Sequence, residues 1–257
     1  MRLRFLGTGT STGNPEIGCT CEVCTSKDKK DTRFRSSSLL EINDKQILID
    51  CGPDFRMQML EAIPSFSYKE LSGVILTHEH YDHVGGLDDL RAYCRFGAAV
   101  NVYAEQCVIE AIQTRMPYVF KENKYPGVPN LVMNEVKPDQ PFCIEGIEIQ
   151  PIRLMHGQLP ILGYRIGNLA YLTDLKTIPE QEYTKLQNLD VLIINALRAK
   201  DHLSHENIEE ALENIEKIKP SKAYFIHMTH TFGLHEEMQK TLPENVFIAY
   251  DGLEIYV

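Results

Sequence analysis

Hydrophobic residues fall in short runs separated by polar stretches. Runs rich in Val, Ile and Leu occupy residues 3–6, 39–42, 46–50, 73–77, 100–104, 147–151, 164–166, 170–173, 191–195, 223–226 and 246–249. They have strand length, and most close on a polar residue and a turn. Asn43-Asp44-Lys45, between two of the runs, predicts a hairpin turn. One segment follows the other period. In 207–218 the residues Ile208, Ala211, Leu212, Ile215 and Ile218 share a helical face, with Asn207 placed as N-cap and Pro220 ending the pattern. Strands alternating with helices predict an α/β architecture. No repeat, low-complexity tract or linker divides residues 1–257, so one domain is expected. Residues 116–130, with three prolines, read as an irregular excursion that suits either a homodimer contact or a pocket wall.

Charge narrows the classes of partner. The chain carries 26 Lys+Arg against 36 Asp+Glu, a net charge of −10, which opposes non-specific attachment to a polynucleotide or an anionic membrane surface. No apolar run approaches the roughly 18 residues of a membrane span. The opening Met1-Arg2-Leu3-Arg4-Phe5-Leu6 turns at Gly7, too soon for a secretory signal, so a cytoplasmic chain is expected. In a reducing compartment its seven cysteines are expected as thiols or metal ligands. Four of them, Cys51, Cys94, Cys107 and Cys143, read as small apolar residues.

Gly7-Thr8-Gly9-Thr10-Ser11-Thr12-Gly13 follows the first strand and invites comparison with a dinucleotide-binding loop. The third glycine comes one residue late, and Asn14-Pro15 stands where a helix should open onto the pyrophosphate. A plain turn is the better reading.

The strongest chemical signal is Thr77-His78-Glu79-His80-Tyr81-Asp82-His83, directly after the strand at 73–77. Three histidines and an aspartate within six residues are costly to pack unless a cation gathers them. Imidazole and carboxylate together suit zinc, manganese or iron. A second cluster, Cys19, Cys21 and Cys24, puts three thiols within six residues of a loop. A structural zinc would need a fourth ligand that this spacing does not supply; a redox-active Cys21-x-x-Cys24 pair is the rival, without the strand and helix that chemistry uses. A third segment, Arg198-Ala199-Lys200-Asp201-His202-Leu203-Ser204-His205, precedes a helix N-terminus, where anions are favoured.

The His-x-His-x-Asp-His run resembles the signature of the metallo-β-lactamase superfamily, whose fold is an αββα sandwich. The resemblance implies further ligands at strand ends, and His156, Asp174 and His227 each follow an apolar run. It implies that His78, His80 and His156 hold one divalent ion, that Asp82, His83 and His227 hold a second, and that Asp174 bridges them. Asp50 matches the family's buried supporting aspartate or is a simple turn residue before Gly52-Pro53. Within the superfamily the cysteine loop is similar to that of the phosphoribosyl cyclic phosphodiesterases of phosphonate breakdown, which implies His230 as fourth ligand of a structural zinc.

What the resemblance implies is a hydrolase with two active-site ions, zinc or manganese, acting on a small phosphodiester. A hydroxide held between the ions attacks phosphorus, and His205 meets the phosphate and protonates the leaving oxygen. Asp82 counts with the catalytic groups as well as the ligands, and His202 is the alternative to His205. His235 is left with an ordinary surface part. Other readings are a nuclease of the tRNA 3′-processing or DNA-exonuclease type, which lacks here a basic insertion to grip a polynucleotide, and a thioesterase or lactonase. A non-catalytic partner in cofactor synthesis, like relatives of the pyrroloquinoline quinone pathway, would have been suggested by missing ligands.

Overall fold

Many strands are apolar on both faces, and the layering explains why. A computed structural model describes residues 1–63 and 70–257. Its first sheet has the order β14 (Glu254–Tyr256), β1 (Arg2–Gly7), β2 (Ser37–Ile42), β3 (Lys45–Ile49), β4 (Leu71–Ile75), β5 (Val100–Ala104), β6 (Leu131–Glu135). The second has the order β13 (Val246–Ile248), β12 (Lys222–Ile226), β11 (Val191–Asn195), β10 (Leu169–Leu172), β9 (Leu159–Ile166), β8 (Ile147–His156), β7 (Phe142–Ile144).

In β3, Ile47 and Ile49 enter the core between the sheets, while Leu48 joins an outer core with residues of α1 (Phe55–Ala62) and α3 (Gln106–Arg115). In β11, Val191 and Ile193 point inward, while Leu192 and Ile194 pack with α4 (Ile208–Ile218). Strands buried on both faces need continuous apolar runs rather than alternation. Three cores separate four layers, and the result is an αββα sandwich.

Parallel pairing runs through β3 to β6 and through β10 to β13. It gathers several strand ends at one edge of the sandwich, where open α/β sheets place their ligands. β3 leads into Asp50, β4 into His78 and the short helix α2 (Tyr81–Val84), β10 into Asp174 and β12 into His227, and β8 ends on His156.

Where the sequence reading differs from the structure, prolines and edges are the cause. The pieces expected at 147–151 and 164–166 belong to one long hairpin of β8 and β9, paired in register from Gln150↔Arg165 to His156↔Leu159. Pro151 and Pro160 lie inside it and made the run look broken. β6, β7 and β14 escaped notice; β6 and β7 are edge strands, and β7 and β14 have only three residues each. Cys107 and Cys143 are exposed rather than packed as small apolar residues. His235 is buried, not superficial: its ring lies 3.4 Å from the Arg33 guanidinium and its backbone N–H donates to Asp31. Among the described residues no helix is long and apolar enough to cross a membrane.

Helix α4 starts as its sequence requires. Asn207 Oδ1 accepts from the Glu210 backbone N–H at 2.9 Å, and the Glu210 carboxylate accepts from the Asn207 N–H at 2.9 Å. Lys219 closes the helix in the left-handed region, at φ 58°. Asn207 Nδ2 also donates to Asp201 at 2.6 Å, tying the cap to the loop of His202 and His205. Asn207→Ala should therefore cost about 1 kcal/mol, read as a shift in the urea midpoint with unchanged slope; an unshifted midpoint would show that the cap is redundant.

Candidate metal centre

The metal-type donors meet where the strands end, and the backbone bends sharply to bring them there. Asp50, Asp174 and His227 all have φ 58°. For residues other than glycine this conformation costs about 1–2 kcal/mol each, and such outliers gather at functional sites. The turn carrying His80 to His83 is clamped against the chain after β3: Cys51 N–H donates to the His83 carbonyl, and Gly86 N–H to the Cys51 carbonyl, both at 2.8 Å. A Cβ on Gly52 would stand 2.1 Å from the Asp82 carbonyl oxygen, so only glycine permits this approach.

Three overlapping groups of donors result, each with its ligand atoms within 4.8 Å of one another: His78, His80 and His156; Asp82, His83, Asp174 and His227; and His156, Asp174 and His205. Asp174 joins them. Its Oδ2 lies 3.0 Å from His83 Nε2 and 3.5 Å from His78 Nε2, and its Oδ1 lies 2.9 Å from His227 Nε2. The outer nitrogens are anchored, which aims the inner ones: His83 Nδ1 donates to Asp50 at 2.7 Å, and His156 Nδ1 to the Ser204 carbonyl at 2.7 Å. Asp50, fully buried, also accepts from the Thr77 N–H and hydroxyl, so it supports the site and is no mere turn residue.

The donor set fits divalent cations. His78 Nε2, His83 Nε2 and His227 Nε2 are buried without a properly directed hydrogen bond, although carboxylate oxygens stand near. Buried polar atoms are rarely left so, and nitrogens converging on shared oxygens are what a cation would organise. The electrostatics agree. Burial would raise the Asp174 carboxyl, but the His227 and His83 imidazoles outweigh it and hold the carboxyl well below its ordinary value. Burial would likewise lower His227, yet Asp174 and Asp82 push it up to about 9, and the same carboxylates with Asp50 raise His83. In the metal-free protein those protons neutralise the carboxylates. Burial, followed by the facing His83, drives His78 the other way.

His205 joins this centre and His202 does not. The His205 ring stacks 5.0 Å from that of His227, with Nε2 4.0 Å from Asp174. His202 stands further out, its Nδ1 3.1 Å from His205 Nδ1 and 3.3 Å from the Ser204 backbone nitrogen. Burial, then His227, pushes His205 down to about 3, so its imidazole is neutral before a ligand arrives.

Cys19, Cys21, Cys24 and His230 form a separate group. His230 Nδ1 lies 3.4 Å from Cys19 Sγ and 3.3 Å from Cys21 Sγ. The His230 contact lowers the Cys21 thiol to about 6, while burial pushes Cys24 up to about 11. Three thiols this close cannot all ionise unaided, and a zinc ion would remove the conflict. Sequence reasoning missed Glu16, whose carboxylate lies 3.0 Å from His230 Nε2, and the Ser204 carbonyl on His156. No spacing signals either one. The glycine-rich loop also finds its place: Thr10 N–H donates to the Met228 carbonyl and Met228 N–H to the Thr8 carbonyl, each at 3.1 Å, bracing the residue after His227.

A metallo-β-lactamase-fold hydrolase is the class that this sandwich and this edge define. A family model described as a beta-lactamase superfamily domain matches residues 45–228, and the chain belongs to that family. It is 36% identical to a protein whose crystal structure is described as a new diphosphatase from the PhnP family, with a TM-score of 0.91 over 99% of this chain and 97% of the other. A Porphyromonas gingivalis protein named octanoyltransferase is 50% identical over 100% of this chain, but the chain spans only 52% of that relative. Ribonuclease Z of Clostridium perfringens is 25% identical over 82% of this chain and 75% of its own length.

Because His83 and His227 hold protons where ligand lone pairs are needed, divalent-ion uptake at pH 7.5 should release about two protons from this centre. Affinity should climb with pH as these imidazoles lose their protons, His227 at about 9. Calorimetry of zinc binding in buffers of different ionisation enthalpy, with the cysteine group already loaded, counts them, and no release would contradict the protonation described. At the cysteine group, Cys21→Ala or His230→Ala should remove one zinc per chain and lower the melting temperature. A variant with unchanged zinc and melting temperature but no turnover would make Cys21 a catalytic thiol instead.

Proposed function

We propose that this chain is a metal-dependent phosphodiesterase that opens a small cyclic phosphate diester. In this reading His78, His80 and His156 hold one divalent ion, Asp82, His83 and His227 the other, and Asp174 is shared, while Cys19, Cys21, Cys24 and His230 hold a structural zinc. The observation that carries it is a seven-donor centre with His205 stacked on His227 at its rim. The diphosphatase relative supports phosphoryl chemistry at such a centre.

When bound, the two ions would lower the pKa of water and neutralise charge on the phosphoryl oxygens, as zinc or manganese can. The chain's own groups do the rest. Asp50 and the Ser204 carbonyl fix the ring planes of His83 and His156, so little reorganisation is needed as the substrate binds. His205 Nε2 faces the centre, while its Nδ1 is 3.1 Å from the Ser204 hydroxyl. It contacts the phosphoryl group, whose negative charge raises the imidazole so that it takes up a proton from solvent as the substrate binds, and it passes that proton to the leaving oxygen. Ribonuclease Z keeps the nuclease alternative in view, and the −10 charge weighs against it.

The test is a panel of cyclic phosphates, linear diesters, diphosphates, single-stranded oligonucleotide and thioesters offered to the purified, metal-loaded protein. Fastest turnover should fall on a cyclic diester, and turnover confined to oligonucleotide or thioester would overturn the proposal. His205→Ala should keep both active-site ions but lose roughly 10²–10⁴-fold on a cyclic diester. A nitrophenyl diester, whose leaving group needs little protonation, should lose much less. Equal losses would make His205 a positioning group, and normal rates on both would remove it from the reaction.

A further inference from the structure

Two imidazoles meet at the rim of the metal centre, and the hydrogen atoms between them can be assigned. The loop 196–206 runs from the end of β11 to the N-cap of α4. Ser204 is its hub. The Ser204 carbonyl accepts from His156 Nδ1, its backbone N–H donates to His202 Nδ1 at 3.3 Å, and its hydroxyl lies 3.3 Å from His202 Nδ1 and 3.1 Å from His205 Nδ1. The two Nδ1 atoms are themselves 3.1 Å apart. The rings are inclined at 54°, so they meet through these nitrogens and do not stack.

Two imidazole nitrogens at that distance need one proton between them, because facing lone pairs repel and so do facing N–H groups. A backbone amide can only donate. His202 Nδ1, which receives the Ser204 N–H, is therefore the acceptor and keeps its own proton on Nε2. Burial and the Arg198 guanidinium hold the His202 imidazole below its ordinary value, which leaves that lone pair available. His205 Nδ1 is then the donor. The Ser204 hydroxyl can turn to suit either ring and decides nothing. Neutral imidazole carries its proton on one nitrogen only, so His205 Nε2, 4.0 Å from Asp174 Oδ2, presents a lone pair to the centre.

We infer that His202 is a positioning residue for His205: by accepting the Nδ1 proton it fixes the orientation and tautomer of the ring, so that Nε2 is the nitrogen that gains and gives up the transferred proton. The chemical step in this inference rests on the phosphodiesterase reading above; the pairing of the two rings does not. Proton bookkeeping closes. Once substrate is bound, Nε2 takes up a proton from solvent while Nδ1–H stays on His202. When the bond from phosphorus to the leaving oxygen breaks, that oxygen takes the Nε2 proton and His205 returns to its neutral Nδ1–H form. The same hydrogen bond is made before and after, so the ring need not turn as the proton arrives and departs. In catalytic triads a carboxylate holds the Nδ1–H in this way, and here a neutral imidazole stands in its place.

The test joins a spectroscopic readout to a kinetic one. Nitrogen NMR of the imidazole rings in the zinc-loaded protein should show His205 protonated on Nδ1 and unprotonated on Nε2. His202→Leu, which removes the acceptor, should mix the two tautomers, and His202→Asn, whose Oδ1 falls where Nδ1 was, should restore the pattern. On a cyclic diester His202→Leu should lose about tenfold to a hundredfold in kcat with little change in KM, the range for partners that orient a working imidazole. His202→Asn should recover most of that loss, and a nitrophenyl diester should barely respond to either change. A His205 ring protonated on Nε2 in the unaltered protein overturns the inference. So does a tautomer that follows Ser204→Ala rather than His202→Leu, or an equal loss on both diesters. If no phosphodiester is turned over but His205 shows the expected tautomer and His202→Leu scrambles it, the pairing stands and the phosphodiesterase reading falls.

Discussion

A carboxylate with 1% of its surface exposed must be compensated from within the protein, and Asp174 is one. Its two oxygens face His78 and His83, from the segment after β4, and His227, at the end of β12 in the other sheet. Bringing opposite partners to one buried point fixes how far each strand runs and how sharply it turns afterwards. The left-handed residues at positions 50, 174 and 227 are the local expression of that requirement. So is Gly52, whose lack of a side chain lets the chain after β3 lie on the metal turn. The sheets supply rigidity: β10, β11 and β12 are almost wholly buried, so a bend at their ends is not dissipated along the strand.

The constraint reaches the chain's extremities. The loop of Cys19, Cys21 and Cys24 must come to His230, more than two hundred residues away, and the glycine-rich segment before it runs beside Met228. Arg33 reinforces the junction from below. It is buried, donates to Thr8 and to the Ala249 carbonyl, and lies by His235. Asp251 completes this knot by accepting from Thr8 and from the Phe34 N–H, although burial lifts its carboxyl to about 7. A cation at the cysteine group would thus brace the strand end that presents His227, which links the two donor clusters through a single turn.

What could be read in advance follows from how local each signal is. Residues 78–83 carry four donors in six positions, so their chemistry shows in the order of residues alone. His156, Asp174 and His227 are single residues at strand ends, and a resemblance was needed to select them. His205 and His202 could not be separated by spacing, because the choice depends on which ring stacks on His227 across the sandwich. Glu16 and the Ser204 carbonyl depend wholly on contacts between distant segments and left no pattern. The α/β class was legible because strand-length apolar runs alternate with a helical pattern, whereas the αββα sandwich was implied by the resemblance. The β8–β9 hairpin was misjudged because Pro151 and Pro160 look like breaks while their neighbours complete the ladder.

The two halves of the site differ in what holds them. His83 and His156 are locked by buried hydrogen bonds to Asp50 and Ser204, whereas His80 is half-buried and its anchoring comes from the turn around it. Arg115 grips that turn at the Glu79 carbonyl, so an exposed side chain from α3 reaches the backbone between two candidate ligands. One short stretch of chain, 79–85, thus has donors on its inner face and Tyr81 lying on Gly85 on its outer face.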